Sequence, residues 1–417
     1  MRVLLLTNGS RGDVQPFLAL AHGLAAAGAE VRLAAPARTA TLADAAGVPF
    51  HPLDDTLLDL QDLAAGGGVR AALTSARQAM PLLRRMLDTA AQLRREEPPQ
   101  VVVHHPKALA GPHLAEAWGV PAVAATLLPL YRPTREFALP VLPGAGRWPR
   151  PLARASWRIV PLIDAPYARM IRTWRAEMLD LPARSGAGIM TGPDGRPGPA
   201  ALHAWSASLL PAPADWPPEA APLGAWLSAT PQDWAPPDGL AEFLAAGTPP
   251  VSIGFGSMVG RDPERLTAMV RDAVRAAGAR AVLTTGWGGL RETPGRAGED
   301  LFIVEAVPHG WLFPRVAAVV QHGGAGTVAA AARAGRPQLI RPFLGDQPFW
   351  ADRVHRLGLG PAPLRGRLDV NRFAGALRAV LTDPGYLRRA GAVAESMAAE
   401  DGVGTAVQRI LALGVPG

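Results

Sequence analysis

Short runs that are apolar at every position recur along the chain, each closed by glycine or polar residues and followed by a stretch whose apolar positions repeat every three to four residues. Val3 to Leu6 is closed by "TNGSRGDVQP", Phe17 to Ala27 carries helical spacing, Gly28 stops it, and Val31 to Ala35 is the next run. Continuous rather than alternating apolar runs mark strands buried on both faces, so strand, glycine turn, helix, strand predicts a parallel α/β sheet. Val101 to Val103, a helix from about Leu109 to Trp118, and Val120 to Ala124 repeat the theme. A second series runs through Val251 to Phe255, a helix at Arg265 to Ala277, and strands at Ala281 to Thr284, Leu301 to Val304, Val316 to Val320 and Gln338 to Arg341; Ala390 to Leu413 reads as closing helices.

Between the two series, Pro211 to Pro237 is rich in proline and tryptophan, cannot be regular helix, and reads as a connection. A chain of 417 residues also exceeds what one hydrophobic core usually supports. The expected division is therefore a first Rossmann-like domain at 1–210, a linker at 211–240, a second Rossmann-like domain at 241–395, and a last helix at 396–417 returning to the first domain. Open α/β sheets bind ligands beyond the carboxyl ends of their strands, and two-domain proteins favour the crevice between domains. The loops "GSRGD" and "HGGAG" are expected to meet across one such cleft. "AAGGGV" at 64–69 and the glycine-rich stretch at 184–200 are expected to be mobile loops.

Composition narrows the class. With 48% hydrophobic and 18% charged residues the chain is globular, and the absence of cysteine excludes disulfides, thiolate catalysis and cysteine metal sites. The net charge of +7 does not point to nucleic acid, because the arginines are spread along the chain among carboxylates instead of clustering on one element. Lys107 is the only lysine, which reads as a coding bias towards arginine. One arginine and four apolar residues at the start are too short for a signal-peptide core, and no apolar stretch reaches bilayer length, so a soluble cytoplasmic protein is expected.

The chemistry is concentrated in a few loops. In "VVQHGGAGTV", Val319 to Val328, an apolar run ends in His322 and a glycine-rich helix start. Residues without Cβ let a ligand approach the backbone, and the free N–H groups of a helix start attract anions, so Gly324, Ala325, Gly326 and Thr327 with His322 suit a phosphate or diphosphate. "GAGTVA" at 324–329 also fits the dinucleotide fingerprint, which keeps an NAD(P)-dependent oxidoreductase in view. Against it stands the histidine at the mouth and the Asp346–Gln347 pair, an acceptor beside an amide that both donates and accepts, which suits several hydroxyls of one sugar ring; the plainer role for Asp346 is a helix cap. Asp13, ahead of the first long helix, is either a helix cap or a base for a substrate hydroxyl. Ser257 in "GFGSM" can reach a second phosphate. His104, His105 and His113 lack a carboxylate at ligand spacing and do not read as a metal site; His105 is a candidate orienting partner for Asp13 or part of an acceptor pocket. Between Arg147 and Arg175, arginines alternate with Trp148, Trp157 and Trp174, which fits either a weak peripheral contact with an anionic membrane or the lining of an apolar pocket.

These motifs together carry a likeness. The chain resembles glycosyltransferase family 1 enzymes of the two-Rossmann-domain type (GT-B architecture, two facing α/β domains with a cleft between them), and is most similar to the sterol 3-beta-glucosyltransferase-like group. "GSRGDVQPFLALAHGL", "HPKALAGPHLAEAWGVPA", "PTREFALPVLP", "SIGFGSM", "TTGWGGL", "VPHGWLFPRVAAVVQHGGAGTV" and "RPFLGDQPFWADRV" stand in the family's order. The resemblance implies inverting, UDP-sugar-dependent transfer to a hydroxyl on a hydrophobic acceptor such as a sterol, terpenoid, polyketide or flavonoid, with a dTDP-sugar as the other donor and no further cofactor. It implies that His322 and residues 324–327 hold the diphosphate, with Ser257 assisting, that Val307 and His309 flank the base and Trp287 packs near it, and that Asp346 and Gln347 read the sugar. Ser10 and Gly12 join the donor set, Asp13 matches the base, and His105, Phe137 and Phe343 are assigned to the acceptor pocket. The positive potential is expected from His322 and the helix start, so no metal is called for. A non-catalytic relative that keeps the fold is the third alternative. Gln321, Gly310 and Val328 depart from the family's usual histidine, aspartate and threonine. The regulatory and lipid-binding extensions of eukaryotic sterol enzymes are absent from the sequence, which brings natural-product acceptors level with sterols.

Overall fold

The structure, a computed structural model, describes residues 1–58, 69–142, 144–182, 201–231, 233–256, 263–286, 290 and 292–414. The loops expected at 64–69 and 184–200 lie outside these residues, apart from Val69. The chain divides into two compact units, Met1–Ser228 with Asp401–Gly417, and Ala229–Glu400.

In the first unit the strands are β1 (Arg2–Leu6), β2 (Glu30–Pro36), β3 (Phe50–Leu53), β4 (Val101–His104), β5 (Ala122–Thr126) and β6 (Ala201–His203), all parallel, in the order β3-β2-β1-β4-β5-β6. The helices are α1 (Arg11–Ala26), α2 (Ala40–Ala45), α3 (Val69–Ala91), α4 (Gly111–Trp118), α5 (Arg150–Ser156) and α6 (Val160–Leu179). Side chains alternate across a strand, so Val3 and Leu5 enter a core with Phe17 and Leu20 of α1, while Leu4 and Leu6 enter another with Leu83, Leu114 and Trp174. Each fully buried leucine or phenylalanine contributes about 1.5–3 kcal/mol.

The second unit has β7 (Val251–Gly254), β8 (Ala281–Thr284), β9 (Gly295–Arg296), β10 (Leu301–Val304), β11 (Ala318–Gln321) and β12 (Gln338–Ile340), ordered β12-β11-β7-β8-β10-β9, with only the edge strand β9 antiparallel. Its helices are α7 (Leu240–Ala245), α8 (Pro263–Ala276), α9 (His309–Leu312), α10 (Ala325–Arg333), α11 (Gln347–Arg356), α12 (Val370–Thr382) and α13 (Pro384–Ala398). Val251, Ile253, Leu283 and Val320 pack against Val270 of α8 and Phe373 of α12, and Val282, Phe302 and Val319 against Phe243 of α7.

Three differences from the sequence expectation bear on function. Helix α1 begins at Arg11 rather than near Phe17, so Asp13 lies inside its first turn. Residues 211–228, read as connection, belong to the first unit, with Trp216 and Trp226 buried. The closing helices are two, separated at Asp401, whose carboxylate caps α14 (Gly402–Leu413) by accepting from the Gly404 N–H at 2.8 Å. Helix α14 packs within the first unit, where Val407 and Ile410 join Phe17 and Leu24, and the Trp226 indole donates to the Gly402 carbonyl at 3.0 Å.

Candidate active site

In each sheet the strand order reverses once between neighbours whose helices lie on opposite faces, at β1 and β4 in the first and at β7 and β11 in the second. Loops diverge at such a switch point and leave a crevice, the place where open α/β sheets bind ligands. The loops there carry the residues singled out from the sequence: Asn8 to Ser10 after β1, His105 to Ala110 after β4, Phe255 and Gly256 after β7, and His322 to Gly324 after β11.

At the first switch point Ser10 is the N-cap of α1 and Asp13 its third helical residue. The Ser10 N–H donates to Asp13 Oδ2 at 2.9 Å and the Ser10 hydroxyl reaches the same oxygen at 3.3 Å. Capping is therefore one job of Asp13, and it consumes one carboxylate oxygen. Gly9 makes room: its φ is +132°, and a Cβ there would lie 2.2 Å from Asp13 Oδ2. The other oxygen, Oδ1, accepts from Lys107 Nζ at 2.8 Å and lies 3.7 Å from His105 Nε2. Burial pulls the Asp13 carboxyl up, but Lys107, His105 and the Ser10 amide together outweigh it and leave it below the usual aspartate value. His105 is pushed down to about 3, by burial first, so it is neutral and the Asp13–His105 approach is not an ion pair. Its Nδ1 accepts from the Lys107 N–H at 3.2 Å, which puts its proton on Nε2, facing Asp13. Gly12 is exposed on the outer side of the same turn.

His104 and His113 turn away from this group. His113 Nδ1 accepts from the fully buried Arg175, which also grips Glu116 at 2.8 and 3.1 Å, and His104 is enclosed beneath α4. Among the described residues no three His, Cys, Asp or Glu side chains are grouped to hold a metal. Phe137, assigned to an acceptor pocket, is 5% exposed and lies between Trp157, tilted at 54°, and Trp216, edge-on at 75°. Of the three tryptophans in the basic stretch, Trp157 and Trp174 are in the core and Trp148 is exposed. Among the described residues no helix is long and apolar enough to cross a membrane.

At the second switch point Gly324 caps α10, and the first helical bond runs from the Val328 N–H to the Gly324 carbonyl at 2.9 Å. The amides of Ala325, Gly326 and Thr327 consequently have no acceptor within the helix and lie at its positive end. His322 fits between two glycines: a Cβ at Gly324 would sit 2.6 Å from its Nε2, and one at Gly256 would sit 3.3 Å from its Cε1. Burial pushes His322 down to about 4, so the imidazole is neutral and its share of the positive potential is that of a dipole.

The departure at Gln321 has a structural account. Its Oε1 accepts from the Gly323 N–H at 2.7 Å, its Nε2 donates to Gln338 Oε1 at 2.9 Å, and Gln338 Nε2 donates to the Val328 carbonyl at 3.2 Å. This buried amide ladder braces the glycine loop. The same loop meets the Asp346–Gln347 segment, for a Cβ at Gly323 would lie 2.9 Å from the Gln347 carbonyl oxygen. Asp346 is the N-cap of α11 by position, yet its side chain makes no cap bond. Gln347 is buried and its Oε1 accepts from the Phe343 and Leu344 amides at 2.8 and 3.2 Å, so the acceptor expected to face a sugar is spent on the turn.

Three further residues of the sequence reading, Val307, His309 and Phe343, lie in the second unit. Val307 is core at 5% exposure. His309 opens α9 and stacks on Phe313 at 4.4 Å. Phe343, assigned to the acceptor pocket, stands edge-on to Phe255 at 5.8 Å. Ser257 and Trp287 lie outside the described residues. Lys107 was passed over as a compositional oddity, and the signal that could have found it is its place in "HPKALAG", right after the strand that pairs with β1.

Residues 3–134 match the glycosyltransferase family 28 N-terminal domain and residues 287–413 the C-terminal domain of erythromycin biosynthesis protein CIII-like proteins. The sterol 3-beta-glucosyltransferases UGT80B1 and UGT80A2 of Arabidopsis thaliana are 33% and 34% identical over 98% of this chain. The chain spans about two thirds of their length, 67% and 65%. In fold it is similar to the glycosyltransferase SsfS6 of Streptomyces sp. SF2575, at a TM-score of 0.65 and 20% identity over 99% of both chains; a second crystal structure of SsfS6, with thymidine diphosphate, gives 0.58.

Proposed function

The chain belongs to the glycosyltransferase family that includes the sterol 3-beta-glucosyltransferases, and from that premise we propose that it moves a hexose from UDP-glucose to a hydroxyl of a hydrophobic small molecule, with inversion at the anomeric carbon. The observation that carries the reading is the anion site of the second unit, where the half-buried imidazole of His322 adjoins three helix-start amides with no acceptor in the helix. Such fixed dipoles stabilise charge as it develops on a departing diphosphate better than mobile water does.

In the proposed reaction the acceptor oxygen bonds to the anomeric carbon while its proton passes to Oδ1 of Asp13. The bond from that carbon to the diphosphate oxygen breaks, and the electron pair leaves with the nucleotide. The carbon is oxocarbenium-like in between, and one displacement inverts it. Oδ1 is the oxygen for the task because Oδ2 is held by the helix cap. Asp346 contacts the sugar hydroxyls, and Gln347 chiefly positions the loop that bears it.

A bound thymidine diphosphate in SsfS6 favours testing dTDP-sugars alongside UDP-sugars. A melting-temperature screen with UDP, dTDP, GDP and NAD, followed by turnover with UDP-glucose and a panel of sterol and polyketide alcohols, tests the whole reading. Protection by UDP with glucoside formation is the expected result; protection by NAD alone would refute it.

A further inference from the structure

Of the 42 lysine and arginine residues of this protein all but one are arginine, and that one rests on the carboxylate proposed as the base. We propose that Lys107 is the positioning residue of Asp13: its ammonium fixes the one carboxylate oxygen left open by the helix cap. The proposal rests on the reading of Asp13 as base.

The geometry is specific. Oδ2 is tied to the Ser10 N–H at 2.9 Å, which leaves Oδ1 to accept a proton, and Lys107 Nζ sits on Oδ1 at 2.8 Å. An exposed lysine–aspartate pair contributes little, because water screens it. Here the Asp13 side chain is only 15% exposed while the Lys107 side chain is 55% exposed, so the carboxylate feels the charge with weak screening and the ammonium can still shift for a substrate. Of the groups that lower the Asp13 carboxyl, Lys107 stands first and His105 second. His105 is neutral, its Nε2 is 3.7 Å away, and His104 behind it only lowers the proton affinity of His105 further. On its own helix Asp13 meets the amide and hydroxyl of Ser10, which carry no net charge.

The choice of lysine over arginine follows from shape. A guanidinium fork binds both oxygens of a carboxylate and would compete with Ser10 for Oδ2. An ammonium is a point charge with three rotatable donors, so it can hold Oδ1 from one side and leave the other side to an incoming hydroxyl.

The test reads the carboxylate and the rate separately. The 13C signal of the Asp13 carboxyl is titrated in the wild type, Lys107→Met and Lys107→Arg, and the acidic limb of kcat/KM is measured in the same proteins. Lys107→Met is expected to raise both midpoints by about one pH unit or more, the usual effect of removing an adjacent cation from an aspartate. Lys107→Arg is expected to keep the midpoints low and to lose rate at all pH values. Should Lys107→Met fold poorly, acetylating the folded protein removes the same charge at the single lysine. Unmoved midpoints together with an inactive Asp13→Asn enzyme would overturn the role of Lys107 and leave the base reading standing. Normal turnover by Asp13→Asn would overturn the base reading, and the present proposal with it.

Discussion

Gly324→Ala is a one-carbon test of the anion site. Gly324 has φ −64° and ψ 138°, a conformation open to alanine, so the backbone imposes no strain. The new Cβ would instead lie 2.6 Å from His322 Nε2, about 0.8 Å inside ordinary contact at 3.4 Å. The ring has limited room to withdraw, since even a Cβ at Gly256 would lie only 3.3 Å from its Cε1. Overpacking of this kind costs about 1–3 kcal/mol, and here it falls on the imidazole itself. A group displaced by about 1 Å from its working geometry loses on the order of a hundredfold in rate. The expected outcome is therefore a modestly lowered melting temperature, UDP affinity down at least about tenfold by titration calorimetry, and a larger loss in kcat/KM. Gly326→Ala is the comparison for folding stability alone. A Cβ there meets nothing within 4 Å, and replacing a helical glycine by alanine stabilises by up to about 1 kcal/mol. Full UDP affinity and rate in Gly324→Ala would mean that His322 is not part of the donor site.

Asp13→Asn keeps an acceptor for the Ser10 amide but removes the base, so turnover is expected to vanish while UDP affinity stays within about twofold; residual activity near the wild-type level would sink the assignment. Gln321→Leu breaks the amide ladder and leaves the Gly323 N–H and the Gln338 carbonyl oxygen without their partner, at a cost of about 1–3 kcal/mol for each buried orphan. Urea unfolding should show the second unit destabilised, and an unchanged midpoint would refute the bracing role. Acid should also separate the units. His104, His105, His113 and His203 in the first unit and His322 in the second are lowered by burial to between about 3 and about 4. A depressed histidine stabilises the fold above its unfolded value of about 6.5 and forfeits that as pH falls towards its folded value, at up to about 1.4 kcal/mol per pH unit for each group. Calorimetry at pH 7 and pH 5 should show the first unit losing more stability than the second; equal loss would contradict the burial of the four.

How much was legible can be seen at Asp13. The loop, the glycine and the nearby helix were visible, and so were both of the residue's uses, because a capping aspartate within a helix turn depends on neighbours three residues apart. The point at which α1 starts was not, and it decided that Oδ2 is occupied. His322 beside a glycine-rich helix start was equally legible, while its neutral state came from desolvation by segments far along the chain. Phe137 shows the reach of tertiary packing: its neighbours Trp157 and Trp216 stand 20 and 79 residues further along the chain.

Periodicity and turn chemistry are local, so the sequence alone determined two α/β series, the loops that end their strands, and the residue types suited to a phosphate and a proton. Lys107 reaches Asp13 across 94 residues only because β4 pairs with β1, aligning His104 with Leu6 and carrying the following loop to the switch point. Likewise α14 joins the first unit through Val407 and Ile410 although it follows the second in the chain. Strand order and helix docking are set by which apolar faces bury best against one another over the whole domain, and that free energy belongs to no window of the sequence. The partners, protonation states and occupied lone pairs of the site were accordingly decided by the tertiary structure.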